Sequence, residues 1–321
     1  MSMLPGHSMS DPQPALASLP EPQQLVMSDG YVLNYRLWQP NQPTGRALIL
    51  LHGIQSHSLW YYRSCSYWSR QGWLVMAPDR RGSGINTSHR GDVRHADRWL
   101  FDISAWINLA RRLTTGSLKP SVPDRAVESF QPQIVLAGLS WGGRLAAAYA
   151  SLWPENLSAC MLLYPGICPR IEPNRLQKLL LKFVQSTSMG QKLKKIPGLE
   201  PERFTRNISA QEFIAHDTLA LREATLRFFW HHHQLGPLAM QGLSHPQRPV
   251  FLALAGQDQI IDSHRTQALF QKELHRSQLP HELQWYKEAA HTIEFEPCHT
   301  LFLEQSTNWL NRVCPAFSPS V

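Results

Sequence analysis

The chain has 321 residues, 43% of them hydrophobic, enough for a sizeable α/β core, and no apolar run is long enough to cross a bilayer as a helix. Its formal net charge is +7, and nearly all of the excess lies between Pro165 and Arg248, where twelve Lys/Arg stand against six Asp/Glu. No nucleic-acid recognition motif accompanies that charge, and the five scattered cysteines lack metal-ligand spacing, so nucleic acid, a zinc site and a disulfide framework are set aside and a reducing cytoplasm fits best.

Residues 1–23, rich in Pro and Ser and without the layout of a signal peptide, read as a disordered tail. Gln24 to Met27 and Tyr31 to Trp38 are short β-patterned runs around the hairpin signal Ser28-Asp29-Gly30. Arg46 to Leu51 is continuously apolar, as expected of a strand buried on both faces, and ends in His52-Gly53-Ile54. Ser58 to Gln71 reads as a helix and Gly72 to Ala77 as the next strand, leading into Asp79-Arg80-Arg81-Gly82-Ser83-Gly84. His95 to Leu113 has helical periodicity, with Trp99, Ile103, Trp106 and Ala110 on one face. A polar linker is expected from Thr114 to Gln131.

The next stretch organises the chain. Ile134 to Leu139 is apolar and of strand length, and a small-residue helical pattern starts directly after Ser140. Between them lies Gly138-Leu139-Ser140-Trp141-Gly142, the G-x-S-x-G elbow in its required strand-to-helix context. The turn must hold the serine in a strained backbone, so residues two before and two after it need to lack a Cβ. The helix start also points N–H groups and a positive dipole end at the hydroxyl.

Ala159 to Tyr164 is a further strand, after which the rhythm breaks for about eighty residues. Asn174 to Gln185, Gln211 to Ala215 and Leu219 to His231 read as amphipathic helices. Strands resume at Pro249 to Leu254 and Glu282 to Tyr286, with helices from Ser263 to His275 and Glu296 to Asn311. Alternating strands and helices predict a mostly parallel sheet flanked by helices. The break predicts a helical cap at 165–248, inserted between core segments 24–164 and 249–321. His231-His232-His233 is not read as a metal site, because consecutive helical residues point about 100° apart.

A serine nucleophile needs a base and an orienting acid, and after such an elbow the acid precedes the histidine along the chain. Asp258 follows a strand end in Gly256-Gln257-Asp258, and His291 follows the last strand in Ala289-Ala290-His291. Both sit at carboxyl ends of strands, where a parallel sheet gathers its functional residues. Asp262 is the competing acid; it reads better as the N-cap of the helix starting at Ser263.

Taken with His52-Gly53-Ile54 and Asp79 to Gly84, these motifs resemble the α/β-hydrolase superfamily, in particular its monoacylglycerol lipase and lysophospholipase branch. The resemblance spans roughly Gln24 to Val313. It implies an oxyanion hole made by the backbone N–H groups of Ile54 and Trp141, and a structural role for the Asp79–Gly84 loop. Trp141 departs from the Met, His or Gln usual at that place, which bears on pocket shape. The expected reaction is hydrolysis of a carboxylic ester of a lipid-like small molecule through an acyl-enzyme on Ser140, with His291 as base, Asp258 as its orienter and no metal or organic cofactor. Acyl transfer, thioester or peptide cleavage on the same triad, and a non-catalytic binding role, are the alternatives. Phe228, Phe229 and Trp230 are candidate pocket residues. The apolar stripe Leu176, Leu179, Leu180 and Phe183, beside Arg175, Lys178 and Lys182, raises peripheral contact with an anionic membrane.

Overall fold

A computed structural model describes residues 19–118, 130–274 and 276–317. Most of the tail expected at 1–23 lies outside the described residues, as does most of the linker after Leu118. The chain opens with β1 (Gln23–Val26) and β2 (Val32–Trp38), an antiparallel hairpin whose turn contains Gly30 at φ 77°. There follow β3 (Arg46–Leu51), α1 (Tyr62–Arg70), β4 (Leu74–Pro78), α2 (Asp97–Leu118), β5 (Gln133–Leu139), α3 (Trp141–Leu152) and β6 (Ala159–Leu163). The middle segment holds α4 (Arg175–Val184), β7 (Leu193–Lys195), α5 (Pro201–Phe204), α6 (Ile208–His216), β8 (Glu223–Thr225), α7 (Leu226–Gln234) and α8 (Gly236–Ser244). The chain ends with β9 (Val250–Ala255), α9 (Ser263–Leu274), β10 (Glu282–Tyr286) and α10 (His299–Val313).

Eight strands form one sheet in the order β1-β2-β4-β3-β5-β6-β9-β10, parallel from β4 to β10. The strand period of two divides the core between the faces. Ala47, Ile49 and Leu51 of β3 join a layer with Trp99, Ile103 and Trp106 of α2, while Leu48 and Leu50 join Trp68 of α1 and Trp309 of α10. The expected mostly parallel sheet with helices on both faces is what the chain forms.

Several local expectations are corrected. The helix expected from Ser58 begins as a 3-10 turn, Ser58–Tyr61, and becomes α-helical only at Tyr62. The helix α2 runs five residues into the expected linker, through Leu118. Within the segment expected to be all helix, β7 and β8 pair antiparallel, Leu193 opposite Thr225. Three-residue strands with exposed lysines carry too little pattern to be seen in sequence. The helix α8 was not expected; it packs onto α3, whose Ala146, Ala147 and Ala148 are wholly buried. His275, the expected end of α9, lies outside the described residues.

Candidate active site

The strand β5 ends at Leu139 and α3 starts at Trp141, which leaves Ser140 alone to turn the chain, at φ 52° and ψ −117°. A non-glycine residue there is strained, a cost of order 1–3 kcal/mol that the surroundings must over-determine. They do so through tight packing. A Cβ on Gly138 would sit 2.3 Å from the Gly142 carbonyl oxygen, and one on Gly142 would sit 2.1 Å from that of Leu51. The Ser140 amide donates to Leu163 O at 2.9 Å, tying the elbow to the end of β6.

Asp258 follows β9 and His291 follows β10, neighbouring parallel strands, so both arrive at the same edge of the sheet as the elbow. His291 Nδ1 donates to Asp258 Oδ2 at 2.7 Å, with both side chains buried. The other carboxylate oxygen, Oδ1, accepts from the amides of Ile260 and Ile261, each at 2.8 Å. A carboxylate held on both oxygens fixes the imidazole with its proton on Nδ1 and leaves Nε2 free to accept. Nε2 has no hydrogen-bond partner among the described residues. The ring is wedged edge-on between Tyr164, at 5.0 Å, and Phe204, at 5.7 Å. Asp262 points elsewhere: its Oδ1 accepts from the Arg265 amide at 2.9 Å and caps α9.

Ser140 opens into a cavity of about 560 Å³, together with Ile54, Trp141 and Phe204. Leu180 and Leu181 of α4 and Phe229 of α7 supply apolar wall, and Lys195 and Arg203 are among its few charged groups. Of the three aromatic candidates, Phe229 alone faces this space. Phe228 is buried between Trp99, at 5.1 Å, and Trp141, at 5.6 Å, and Trp230 lines a separate cavity of about 740 Å³ beside α2. The reason is helical geometry: successive residues of α7 diverge by about 100°, so three in a row cannot share one wall.

Sequence reasoning missed what holds Trp141. Its indole N–H donates to His232 Nδ1, its ring stacks on Phe228 and His232, and the Arg80 guanidinium lies 4.3 Å from the ring centroid. Burial, with Arg144 nearby, pulls the His232 pKa well below the usual histidine value, so the ring is a neutral acceptor. The three consecutive histidines therefore part company, with His231 Nδ1 bonded to Gln234 Oε1 at 2.7 Å. No sequence signal marks Trp141 and His232 as partners across 91 positions.

Residues 42–298 match the family model described as serine aminopeptidase, S33. The chain belongs to this family of α/β hydrolases. It is 23% identical over 229 residues to phospholipase YtpA of Bacillus subtilis, covering 70% of this chain and 80% of that one. It is 27% identical over 138 residues to a monoacylglycerol lipase of Mycolicibacterium smegmatis, covering 43% of this chain and 44% of the other. The fold is also that of a monoglyceride lipase from Saccharomyces cerevisiae solved with a substrate analog, with a TM-score of 0.74, 18% identity, and coverage of 96% of this chain and all of that one. Among the described residues no helix is long and apolar enough to cross a membrane.

Proposed function

We propose that the protein is a serine carboxylic-ester hydrolase of the monoacylglycerol or lysophospholipid type, working through an acyl-enzyme on Ser140. The observation that carries this reading is the buried Asp258–His291 pair, whose Nε2 lacks a partner, at the sheet edge where the strained Ser140 opens into a largely apolar cavity. Such a cavity lies within the roughly 300–1,000 Å³ of small-molecule sites and suits an acyl chain. His291 takes the Ser140 proton as the hydroxyl attacks the acyl carbon, and Asp258 stabilises the imidazolium that results. The amides of Ile54 and Trp141 receive the negative charge of the tetrahedral intermediate. His291 then returns the proton to the leaving alcohol, and water repeats the cycle on the acyl-enzyme.

The family description and the relatives' names point to different substrates, and the cavity favours the ester. Capture of a peptide amino terminus calls for a free carboxylate. Glu172, which lines the cavity, is already paired with Lys178 at 3.4 Å, and Arg203 with Glu200 at 2.7 Å, while Lys195 adds positive charge. Residues 165–248 act in this reading as a cap, through α4, α5 and α7 over Ser140.

The cap also supplies the membrane contact. The capping box of Asn174 and Gln177 fixes the start of α4, and Val184 is the one buried residue of that helix. Leu176, Leu179, Leu180 and Phe183 are 50–74% exposed. An apolar stripe left in water on a helix with Arg175 and Lys182, whose inner side lines the cavity, suits an anionic lipid surface from which acyl substrate can enter. All five cysteines are free, which supports a reducing, cytoplasmic setting.

The test is a substrate panel for wild type and Ser140→Ala: p-nitrophenyl esters of rising chain length, a monoacylglycerol, a lysophospholipid, and an aminoacyl p-nitroanilide. Preference for medium or long acyl esters, abolished in Ser140→Ala, supports the proposal. Anilide cleavage exceeding ester cleavage refutes it.

A further inference from the structure

A buried cation, Arg80, stands behind the proposed oxyanion hole. Arg80 lies two residues beyond β4 and is 5% exposed. One of its nitrogens, Nη2, donates to Gly53 O at 2.6 Å and to Ile54 O at 2.9 Å. Its own backbone N–H donates to His52 Nε2 at 3.0 Å, which leaves the imidazole proton on Nδ1. Nδ1 is 2.8 Å from Gly53 O and donates to it. Burial first, then the charge of Arg80, pulls the His52 pKa well below the usual value, so this neutral tautomer persists. Gly53 O thus accepts from two donors.

That oxygen and the Ile54 N–H belong to a single peptide unit. In a planar trans peptide the two point in opposite directions, so fastening the oxygen to Arg80 and His52 aims the N–H away from them. Ile54 faces the Ser140 cavity. Donors on a carbonyl oxygen also polarise the N–H of the same unit and strengthen it as a donor.

Charge adds to geometry. Arg80 Nε and Nη1 have no hydrogen-bond partner, and Arg80 is in no ion pair among the described residues. The carboxylate of neighbouring Asp79 is occupied by the amides of Ser58 and Ile85, at 2.7 and 2.9 Å. The guanidinium face rests on Trp141, the other residue of the proposed hole. The Asp79 carboxylate offsets part of the charge through space, and what remains, in a low-dielectric site, acts over a distance on any anion forming nearby.

We propose that Arg80, with His52, is a positioning residue of the oxyanion hole: it orients and polarises the Gly53–Ile54 peptide, steadies Trp141, and contributes a positive charge that favours the tetrahedral intermediate over bound ester. The proposal rests on the serine-hydrolase reading above. It assigns the Asp79–Gly84 loop a part in chemistry beyond bracing.

The test compares Arg80→Met and Arg80→Lys with wild type and Ser140→Ala, after thermal melts establish which variants are folded. The readouts are kcat and KM on a short p-nitrophenyl ester and the inhibition constant of phenylboronic acid, which forms a tetrahedral anion on a nucleophilic serine. Removing an oxyanion donor typically costs about 10²–10³ in rate. Arg80→Met is expected to lose about 10–100-fold in kcat with KM within about threefold, and boronate affinity should fall by a similar factor. Arg80→Lys, which keeps the charge but not the forked geometry, should lie between the two. A merely structural arginine would not move kcat and boronate affinity together. A folded Arg80→Met with wild-type kcat, or with reduced kcat and unchanged boronate affinity, overturns the proposal. If Arg80→Met does not fold, Arg80→Lys decides: parallel loss of kcat and boronate affinity supports it, and wild-type boronate affinity overturns it. Full activity in Ser140→Ala would instead sink the underlying reading, so the two failures are distinguishable.

Discussion

Removing Leu176 and Phe183 from the outer side of α4 should weaken membrane binding without touching the chemistry. The two side chains are 74% and 66% exposed and neither lines the Ser140 cavity. Fully burying a Leu or Phe side chain stabilises by about 1.5–3 kcal/mol. Transferring only the exposed two-thirds or so of each gives about 1.5 kcal/mol apiece, hence about 3 kcal/mol for the pair. At about 1.4 kcal/mol per tenfold, that is a partition coefficient lower by about 100-fold. The assay is co-sedimentation of Ser140→Ala, with and without Leu176→Ser and Phe183→Ser, on vesicles of anionic and of neutral lipid. Each lysine near an anionic surface adds about 1 kcal/mol, so binding should favour anionic vesicles and weaken with salt. Turnover of a short soluble ester should be unchanged by the pair. A partition within twofold of the parent, or no binding to either vesicle, would refute the reasoning and leave the stripe without this role.

Asp258→Asn is expected to lower ester turnover by about 10²–10⁴, because the amide cannot hold the imidazole proton on Nδ1 as a carboxylate does. Asp262→Asn should keep near-wild-type turnover, since it can still cap α9; the reverse pattern, read from initial rates, would move the acid. Stability should fall on mild acidification: His52 and His232 are held neutral by burial, with pKa values well below the unfolded value of about 6.5. Their contribution is therefore whole above pH 6.5 and is lost as pH drops from there toward the folded values. With one proton each taken up on unfolding, these two histidines contribute a slope of at most about 3 kcal/mol per pH unit, and a denaturation midpoint flat between pH 7 and 5 would count against it.

What could be read in the sequence follows from how local each determinant is. The elbow is a contiguous pattern in which Gly138, Ser140 and Gly142 meet steric demands of one turn, and the continuous apolar run of Arg46 to Leu51 already marks a strand covered on both faces. Asp258 and His291 could be proposed because each follows a strand, and parallel strands deliver their ends to one edge. The cap resisted. The two strands β7 and β8 are thirty residues apart and mostly solvated, so no periodicity announces them. Which of Phe228, Phe229 and Trp230 faces the cavity depends on the rotation of α7 against Trp99, a contact far away in the chain. The role of Arg80 is invisible for the same reason: its partners are carbonyls 26 and 27 positions earlier, and carbonyls carry no sequence signature.

The central claim, that Ser140 is the activated nucleophile, is tested most directly by a fluorophosphonate probe read by intact mass and peptide mapping. The account predicts a single adduct on Ser140, absent in Ser140→Ala and much slower to form in His291→Ala. Labelling of Ser140→Ala at the wild-type rate, or no labelling of folded wild-type protein, would contradict it.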